Sequence, residues 1–386
     1  MDKKYFTKIS LLGEDIYVKD DELWNSFEKV NIKTDYFVPE LFGAKGDGVT
    51  DDTIAIQKMF DSMNDGDKCI FSSKKYITTG TIVISSNSIG ISGGFSGYEY
   101  TSIIECKNKV PIFKVNGHGC RFFNIQIQTP IENYLSESIG ILFNFDRENN
   151  VDCDGCVDGC TFFQLDNAIK CYGRNCVIRN CQISHCNIGI NLVKNTLVQT
   201  EQRGFFILNN EFHRVYNSCI YSNLDLEGRK NVFISNNIST FGGILFYGIG
   251  TGVIINSNFQ YTEFENAESG VVLLSANNAS FAEISDNTFI AGSASNVDGI
   301  RLVSGNGTFS NVLIKNNYIK DFTRKGIIVE KGSNIVITNN TVIASRDNGY
   351  QVNDGVLNCV VTCNNAISCN VLFEPSQITN KYNTWN

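Results

Sequence analysis

Apolar and polar positions along the chain form one phrase that recurs. In Asn311–Lys331 (NVLIKNNYIKDFTRKGIIVEK) a period-two alternation, Val312 and Ile314, runs into the pair Asn316-Asn317. Ile319, a polar turn and Gly326-Ile327-Ile328-Val329 follow. The same phrase returns at Phe205–Ser222, Asn231–Gly248, Phe281–Ser304 and Asn334–Asp354. Taking the second residue of each Asn pair or its equivalent gives Ile125, Cys160, Cys181, Asn210, Asn237, Ser257, Asn287, Asn317, Asn340 and Asn364, with gaps of 20 to 35 residues. The Gly-Ile half gives a second series, Ile141, Ile169, Ile190, Ile220, Ile244, Val271, Ile300, Ile327 and Tyr350, with gaps of 21 to 30. Two features keeping one period predict a solenoid. Alternation, β-branched residues and Asn/Gly turns make its segments strands. Strands of successive rungs stack in parallel around an apolar interior. Asn at a fixed place suits a bend, because it tolerates the left-handed region and its amides can hydrogen-bond along a stack. The expected fold is an all-β parallel β-helix of about ten or more rungs, roughly 50 Å long at ~4.8 Å per rung.

Outside the repeat, Asp20–Val30 sets Leu23, Trp24, Phe27 and Val30 on one helical face, which reads either as a cap on the first rung or as a neck helix in an oligomer. A second helix is expected after Thr50-Asp51, with apolar Ile54, Ile56, Met59, Phe60 and Met63. The expected division is an extension over 1–37, the β-helix over 38–373 and a polar tail over 374–386, with Trp385 folded over the last rung.

Composition changes this picture little. Charged residues are 19% of the 386, and the net charge is −8 with no long basic run, so a nucleic-acid footprint is absent. No apolar run reaches membrane-spanning length. The opening MDKKYFTKISLLGED lacks the apolar stretch of a secretory signal. Work outside cells is then expected through lysis or as part of a particle. Of 14 cysteines, seven fall between Cys153 and Cys186. Stacked reduced thiols are the favoured reading, with disulfides or a metal site as alternatives.

The phrase FGAKGDGVTDDTIAIQ (Phe42–Gln57), together with the repeats, resembles the pectate-lyase-like right-handed β-helix superfamily over about 38–375. That group includes phage tailspikes, polysaccharide depolymerases, polygalacturonases and sugar epimerases. The resemblance implies a right-handed coil, with the short helix after Thr53 capping its N-terminal end and Asp51 and Asp52 in structural roles. A weaker likeness of Asp20–Phe27 plus the signature to the particle-proximal part of phage tail proteins implies a homo-oligomer, a trimer by preference, and phage tail components as partners. Gly117-His118-Gly119 is similar to a polygalacturonase dipeptide, but its companion motifs are missing. His118 is read as structural.

No motif announces a reaction, so candidate chemistry is read from columns. On the Gly-Ile strands the residue after the inward Ile faces out. The outward column reads Leu142, Lys170, Asn191, Tyr221, Leu245, Val272, Arg301, Ile328 and Gln351, and two residues on it reads Asn144, Tyr172, Val193, Asn223, Tyr247, Leu274, Val303, Glu330 and Asn353. Tyrosines and amides on one exposed sheet suit a sugar, so Lys170, Tyr172, Asn191, Tyr221, Asn223 and Tyr247 are the expected substrate-binding residues. Glycoside cleavage needs paired carboxylates. The candidates are Asp225, Glu227, Glu265, Glu268 and Asp298, with Arg301 as a cation for a lyase. His185 and His213 are an alternative acid/base pair. No cofactor is required, although Asp152, Asp154 and Asp158 have the oxygens for Ca²⁺. The expected function is cleavage of a bacterial capsule, O-antigen or exopolysaccharide by hydrolysis. The rivals are a non-catalytic glycan-binding tail protein and a uronate-directed lyase or epimerase.

Overall fold

The computed structural model describes residues 7–11, 14–18 and 36–385, apart from 97–98, 101, 131–134, 147–150, 153, 173–174, 194–203, 225–231, 250–251, 263–269, 275–279, 293–296, 304–306 and 374–377. The amphipathic stretch Asp20–Val30 lies outside the described residues. Two strands before it, Thr7–Leu11 and Glu14–Val18, pair antiparallel. The reading of the sequence did not anticipate them.

From Phe37 onward the chain winds through three parallel sheets, called here A (13 strands), B (14) and C (12) in the order each rung visits them. One rung runs Phe309–Lys315 in A, Tyr318–Lys320 in B and Ile327–Val329 in C, and Gly332–Thr338 returns to A. Register places like on like: Ile178, Ile207, Ile234, Ile255, Ile284, Ile314, Ile337 and Val361 form one stack inside sheet A, all fully buried. Each such side chain contributes about 1.5–3 kcal/mol of burial.

The Asn pair divides two tasks between its members. The first residue takes the left-handed conformation at the A-to-B bend, as Asn209, Asn236, Asn316 and Asn339 do with φ of 56–57°. The second turns its amide into the stack. Asn210, Asn237, Asn258, Asn287, Asn317, Asn340, Asn364 and Asn383 are joined through Nδ2 donating to the next Oδ1. Each Oδ1 also accepts the backbone N–H of the residue before it in the column. Each Nδ2 also caps a sheet A carbonyl of the rung before, from Ile178 to Val361. The member here is Asn258. Ser257, expected in this column, takes the left-handed position one residue earlier. Bend geometry accepts Ser257, Asp286 or Cys363, but the buried ladder needs an amide that both donates and accepts.

The Gly of the Gly-Ile half is steric. A Cβ on Gly189 would meet the Phe212 ring at 2.8 Å, and one on Gly326 would meet Val342 at 2.3 Å. The Ile after it points inward, as expected.

The helix Thr53–Asp61 buries Ile56, Met59 and Phe60 and packs on Ile82–Ile84, the terminal strand of sheet C. The Phe60 ring meets Phe113 edge-on at 6.3 Å. Ile54, expected on its apolar face, is 70% exposed. Asp52 is buried and accepts N–H bonds from Lys45 and Gly46. At the other end the stack runs past Phe373. Ile378–Lys381 pairs with sheet A, Thr384–Trp385 with sheet B, and Asn383 joins the ladder. The Trp385 ring stands 5.4 Å from that of Tyr350.

Thirteen described cysteines are free. Burial in the apolar interior pushes Cys160 and Cys219 up to about 12, so these thiols stay protonated and behave as small apolar side chains.

The ladder predicts an asymmetry between neighbours. Asn317→Ala removes the acceptor shared by the Asn287 backbone N–H and Nδ2 and the side-chain donor to the Ile284 carbonyl, and is expected to cost at least about 3 kcal/mol. Asn316→Gly keeps the bend and is expected to change stability by under about 0.5 kcal/mol. Denaturation midpoints of both variants check this; equal losses would refute the division of tasks.

Candidate functional site

The outward column of sheet C is set by the inward one. Phe113, Ile141, Ile169, Ile190, Ile220 and Phe246 align inside, and Lys114, Leu142, Lys170, Asn191, Tyr221 and Tyr247 therefore align outside. Val272, Arg301, Ile328 and Gln351 continue the column. Tyr247 was expected beside Asn223 with Leu245 in the Tyr221 column. Instead Phe246 is the inward partner of Ile220 and Leu245 is fully buried. Matching Ile244 to Ile220 misjudged the bend through Gly242-Gly243 by two residues.

The corrected register brings two rings together. Tyr221 and Tyr247 lie parallel, centroids 5.8 Å apart and planes 10° apart. One rung before Tyr221, Asn191 Nδ2 donates to Asn167 Oδ1 at 2.8 Å, while Asn191 Oδ1 has no partner. The Lys170 ammonium sits 5.5 Å from the centre of the Tyr172 ring, and Asn223 follows the Tyr221 strand, exposed. Lys114 and Asn167 were not singled out from the sequence. Counting back from Ile141 to Phe113 would have found the first.

Of the candidate acids, Asp225, Glu227, Glu265 and Glu268 lie outside the described residues. Asp298 is nearly buried, accepts the Lys325 backbone N–H at 3.0 Å and pairs with Arg324 at 3.3 Å. Arg301 reaches Asp298 at 3.9 Å but is held mainly by Glu330 across one rung, at 2.9 and 3.0 Å. Asp298 and Arg301 are thus near each other, as read from the sequence, within a network that occupies both.

His185 and His213 stand with centroids 5.9 Å apart, inside a ridge of rings along the B-to-C bend. Phe163 lies 5.1 Å before His185, Phe241 lies 5.6 Å after His213, and Tyr261 stands 5.9 Å from Phe241. His213 Nδ1 bonds Thr240 Oγ1 at 3.0 Å. His185 Nδ1 is buried without a partner. Burial first, then Arg214 and His213, hold His185 below the ordinary imidazole range.

In the aspartate cluster, Asp154 accepts the Gly119 N–H, and Asp158 binds Arg179 at 2.8 Å and Asn180 at 2.7 Å. His118 Nδ1 is 3.7 Å from Asp154. Among the described residues no group of three or more His, Cys, Asp or Glu converges as metal ligands would.

Comparison with known proteins agrees with this architecture. The family model described as "Right handed beta helix region" matches residues 242–384. No curated protein matches the chain in sequence. Among solved structures it is similar to a PL6 alginate lyase in complex with a trisaccharide (TM-score 0.64, 12% identity, 92% of this chain and 85% of that one). It is also similar to the DFA-IIIase of Arthrobacter chlorophenolicus A6 (0.61, 12%, 90% and 98%). A third likeness is to tailspike protein 3 of bacteriophage CBA120 (0.52, 12%, 97% and 64%). The resemblance read from Phe42–Gln57 and the repeats therefore stands: the chain is a right-handed parallel β-helix.

The His185 environment gives a pH prediction. Unfolding frees this imidazole to its ordinary pKa of ~6.5. Below that pH the unfolded chain binds more protons than the folded one, so stability falls as pH drops, levelling off beneath the folded pKa. His185→Asn keeps the bend and should flatten this fall. Midpoints measured from pH 8 to 5 with the same slope in both proteins would contradict it.

Proposed function

We propose that this chain binds a bacterial surface or extracellular polysaccharide along the outer face of sheet C and cleaves it by glycosidic hydrolysis. The observation that carries the reading is the parallel Tyr221–Tyr247 pair in line with Asn191 and Lys170. Sugar ring faces stack on aromatic faces, and hydroxyls need donors and acceptors beside them. One rung spacing of ~4.8 Å sets successive side chains at intervals a polymer of sugars can follow. The likeness to a lyase, a DFA-IIIase and a tailspike supports a polysaccharide as the ligand. The acid and base of hydrolysis are proposed among Asp225 and Glu227, which follow the Tyr221 strand, and Glu265 and Glu268, which precede the strand whose Val272 lies beside Tyr247 in register. Ca²⁺ near Asp152–Asp158 is an optional addition to this reading.

One observation favours binding without cleavage. Asp298 and Glu330, the described carboxylates by Arg301, are engaged with cations and ill-suited to trade protons. A panel of bacterial capsules and exopolysaccharides separates the readings. Hydrolysis releases reducing ends without new ultraviolet absorbance, elimination by a lyase adds unsaturated uronate absorbance, and binding alone gives neither. Tyr221→Ala with Tyr247→Ala is expected to weaken binding at least about tenfold, as loss of stacking would. Unchanged affinity would remove this face from the reading.

A virion-associated or released protein, with phage tail components and further copies of itself as partners, fits the tailspike likeness. No described helix is long and apolar enough to cross a membrane. For the homo-oligomer, a trimer by preference, we propose the outer face of sheet A. Its column reads Val177, Phe206, Phe233, Ile254, Glu283, Leu313, Val336 and Val360. Phe206 and Phe233 stack at 5.1 Å, and Glu283 is neutralised by Lys315 at 3.0 Å. Copies each carrying −8 can meet only where charge is balanced, and this apolar stripe is such a place. Phe206→Ser with Phe233→Ser is expected to turn the assembly monomeric by light scattering; a monomeric wild type would refute the proposal.

A further inference from the structure

We infer that Cys171 and Cys176 form a redox site, two thiols that a small external disulfide converts into a cross-link over the C-to-A bend. The strand Leu165–Cys171 ends in sheet C with the first thiol, and Cys176–Arg179 opens the next strand of sheet A with the second. Both side chains are buried. Register shows how the two places relate. Cys171 lies on Phe143 and Cys176 on Gly155. In that earlier rung the Phe143 ring crosses the bend, and a Cβ on Gly155 would meet it at 2.3 Å. Side chains at these two places therefore point at one another. One rung later two thiols fill the same space, and the Cys176 thiol has that of Cys171 as its hydrogen-bond partner.

Among the described residues no other rung puts cysteine at both places. They hold Val115 and Cys120, Leu192 and Phe205, Leu302 and Val312, or Val329 and Ile335. Other buried thiols are engaged elsewhere. Cys181 donates to the Arg179 carbonyl at 3.2 Å, Cys186 to the Ser184 carbonyl at 3.3 Å, and Cys219 meets Ser239 Oγ at 3.2 Å. In the reaction, one thiolate of the pair attacks a disulfide such as oxidised glutathione and releases a thiolate. The second thiolate attacks the mixed disulfide and releases another. The two cysteines are oxidised to one S–S bond, the external disulfide is reduced to two thiols, and the cysteine protons pass to them. The neighbouring Cys171 thiol first, and then burial, hold Cys176 well above the ordinary thiol range, so exchange is slow and waits for the bend to open. Reducing surroundings keep the pair as thiols, and oxidising ones close it. Cys171 lies between Lys170 and Tyr172, so closure ties that part of the sheet C face to sheet A. The inference does not depend on what that face binds.

The test uses the full chain, purified reduced and then held overnight at mildly alkaline pH with oxidised glutathione. Remaining thiols are alkylated in denaturant, and the chain is digested with trypsin, which cuts after Lys170, Arg174 and Arg179. Mass spectrometry is expected to recover peptides 171–174 and 175–179 joined and lighter by two hydrogens, with Cys160 and Cys181 alkylated. A sample kept in a thiol reductant should give the two peptides separately. Oxidation should raise the thermal midpoint of the wild type by at least about 2 °C, and that of Cys171→Ser or Cys176→Ser not at all. The peptide readout needs only the wild type, so it holds even if a variant folds poorly. Both cysteines alkylated after oxidation, either one joined to glutathione or to a different cysteine, or a cross-link that lowers the midpoint would each overturn the inference.

Discussion

The stack of buried asparagine amides is the interaction on which the other features depend. Parallel sheets alone would let one rung slide against the next, because the backbone ladder is uniform along a strand. The ladder removes that freedom. Each Asn must receive from the Asn of one rung, give to that of the next, and cap a carbonyl of sheet A. A slip by one residue would bury a donor and an acceptor without partners in every rung it touched. With the A-to-B bend pinned, the inward Ile of each rung has one place to go, and the outward residues inherit their columns from it.

This constraint explains how much of the molecule could be read from its sequence. The doublets at Asn209-Asn210, Asn236-Asn237, Asn316-Asn317 and Asn339-Asn340 are frequent enough to give the period, the strand character and the fold. They did not reveal that the two residues differ in kind, because Asn satisfies both demands. Asn256-Ser257-Asn258 is where the difference becomes visible. Ser257 meets the backbone demand and cannot meet the amide one. The end of the stack was misread for a related reason. Asn380–Trp385 has polar composition, yet Asn383 carries the ladder forward and fixes the strand around it.

The face of sheet C was partly legible. Lys170, Asn191 and Tyr221 fall in one column by simple counting from the inward Ile, and they are in one column. Tyr247 was displaced because the B-to-C bend varies in length where the A-to-B bend does not. Residues taking its left-handed position include Gln164, His185, Arg214, Phe241 and Ala344, a set with no shared side-chain chemistry. Without a ladder to hold it, this bend admits insertions, and counting across it fails. The acids are harder still. A carboxylate in a turn looks the same in sequence whether it meets a sugar or a guanidinium, and Asp298 shows the second case.

The same contrast bears on where chemistry can reside in such a chain. Inward columns are committed to packing and the A-to-B bend to the ladder, so neither can vary without loss of the fold. Outward columns carry no such obligation. A large ring on an outward column is therefore a departure with no structural return. The parallel tyrosines Tyr221 and Tyr247 are departures of this sort: rings half-exposed on a sheet surface keep apolar area in contact with water, where burial would have returned free energy. Residues that cost the fold something, or give it nothing, and that fall on one column over successive rungs share a reason outside the fold. The geometry of that column, straight and spaced by one rung, is what an extended polymer offers in return.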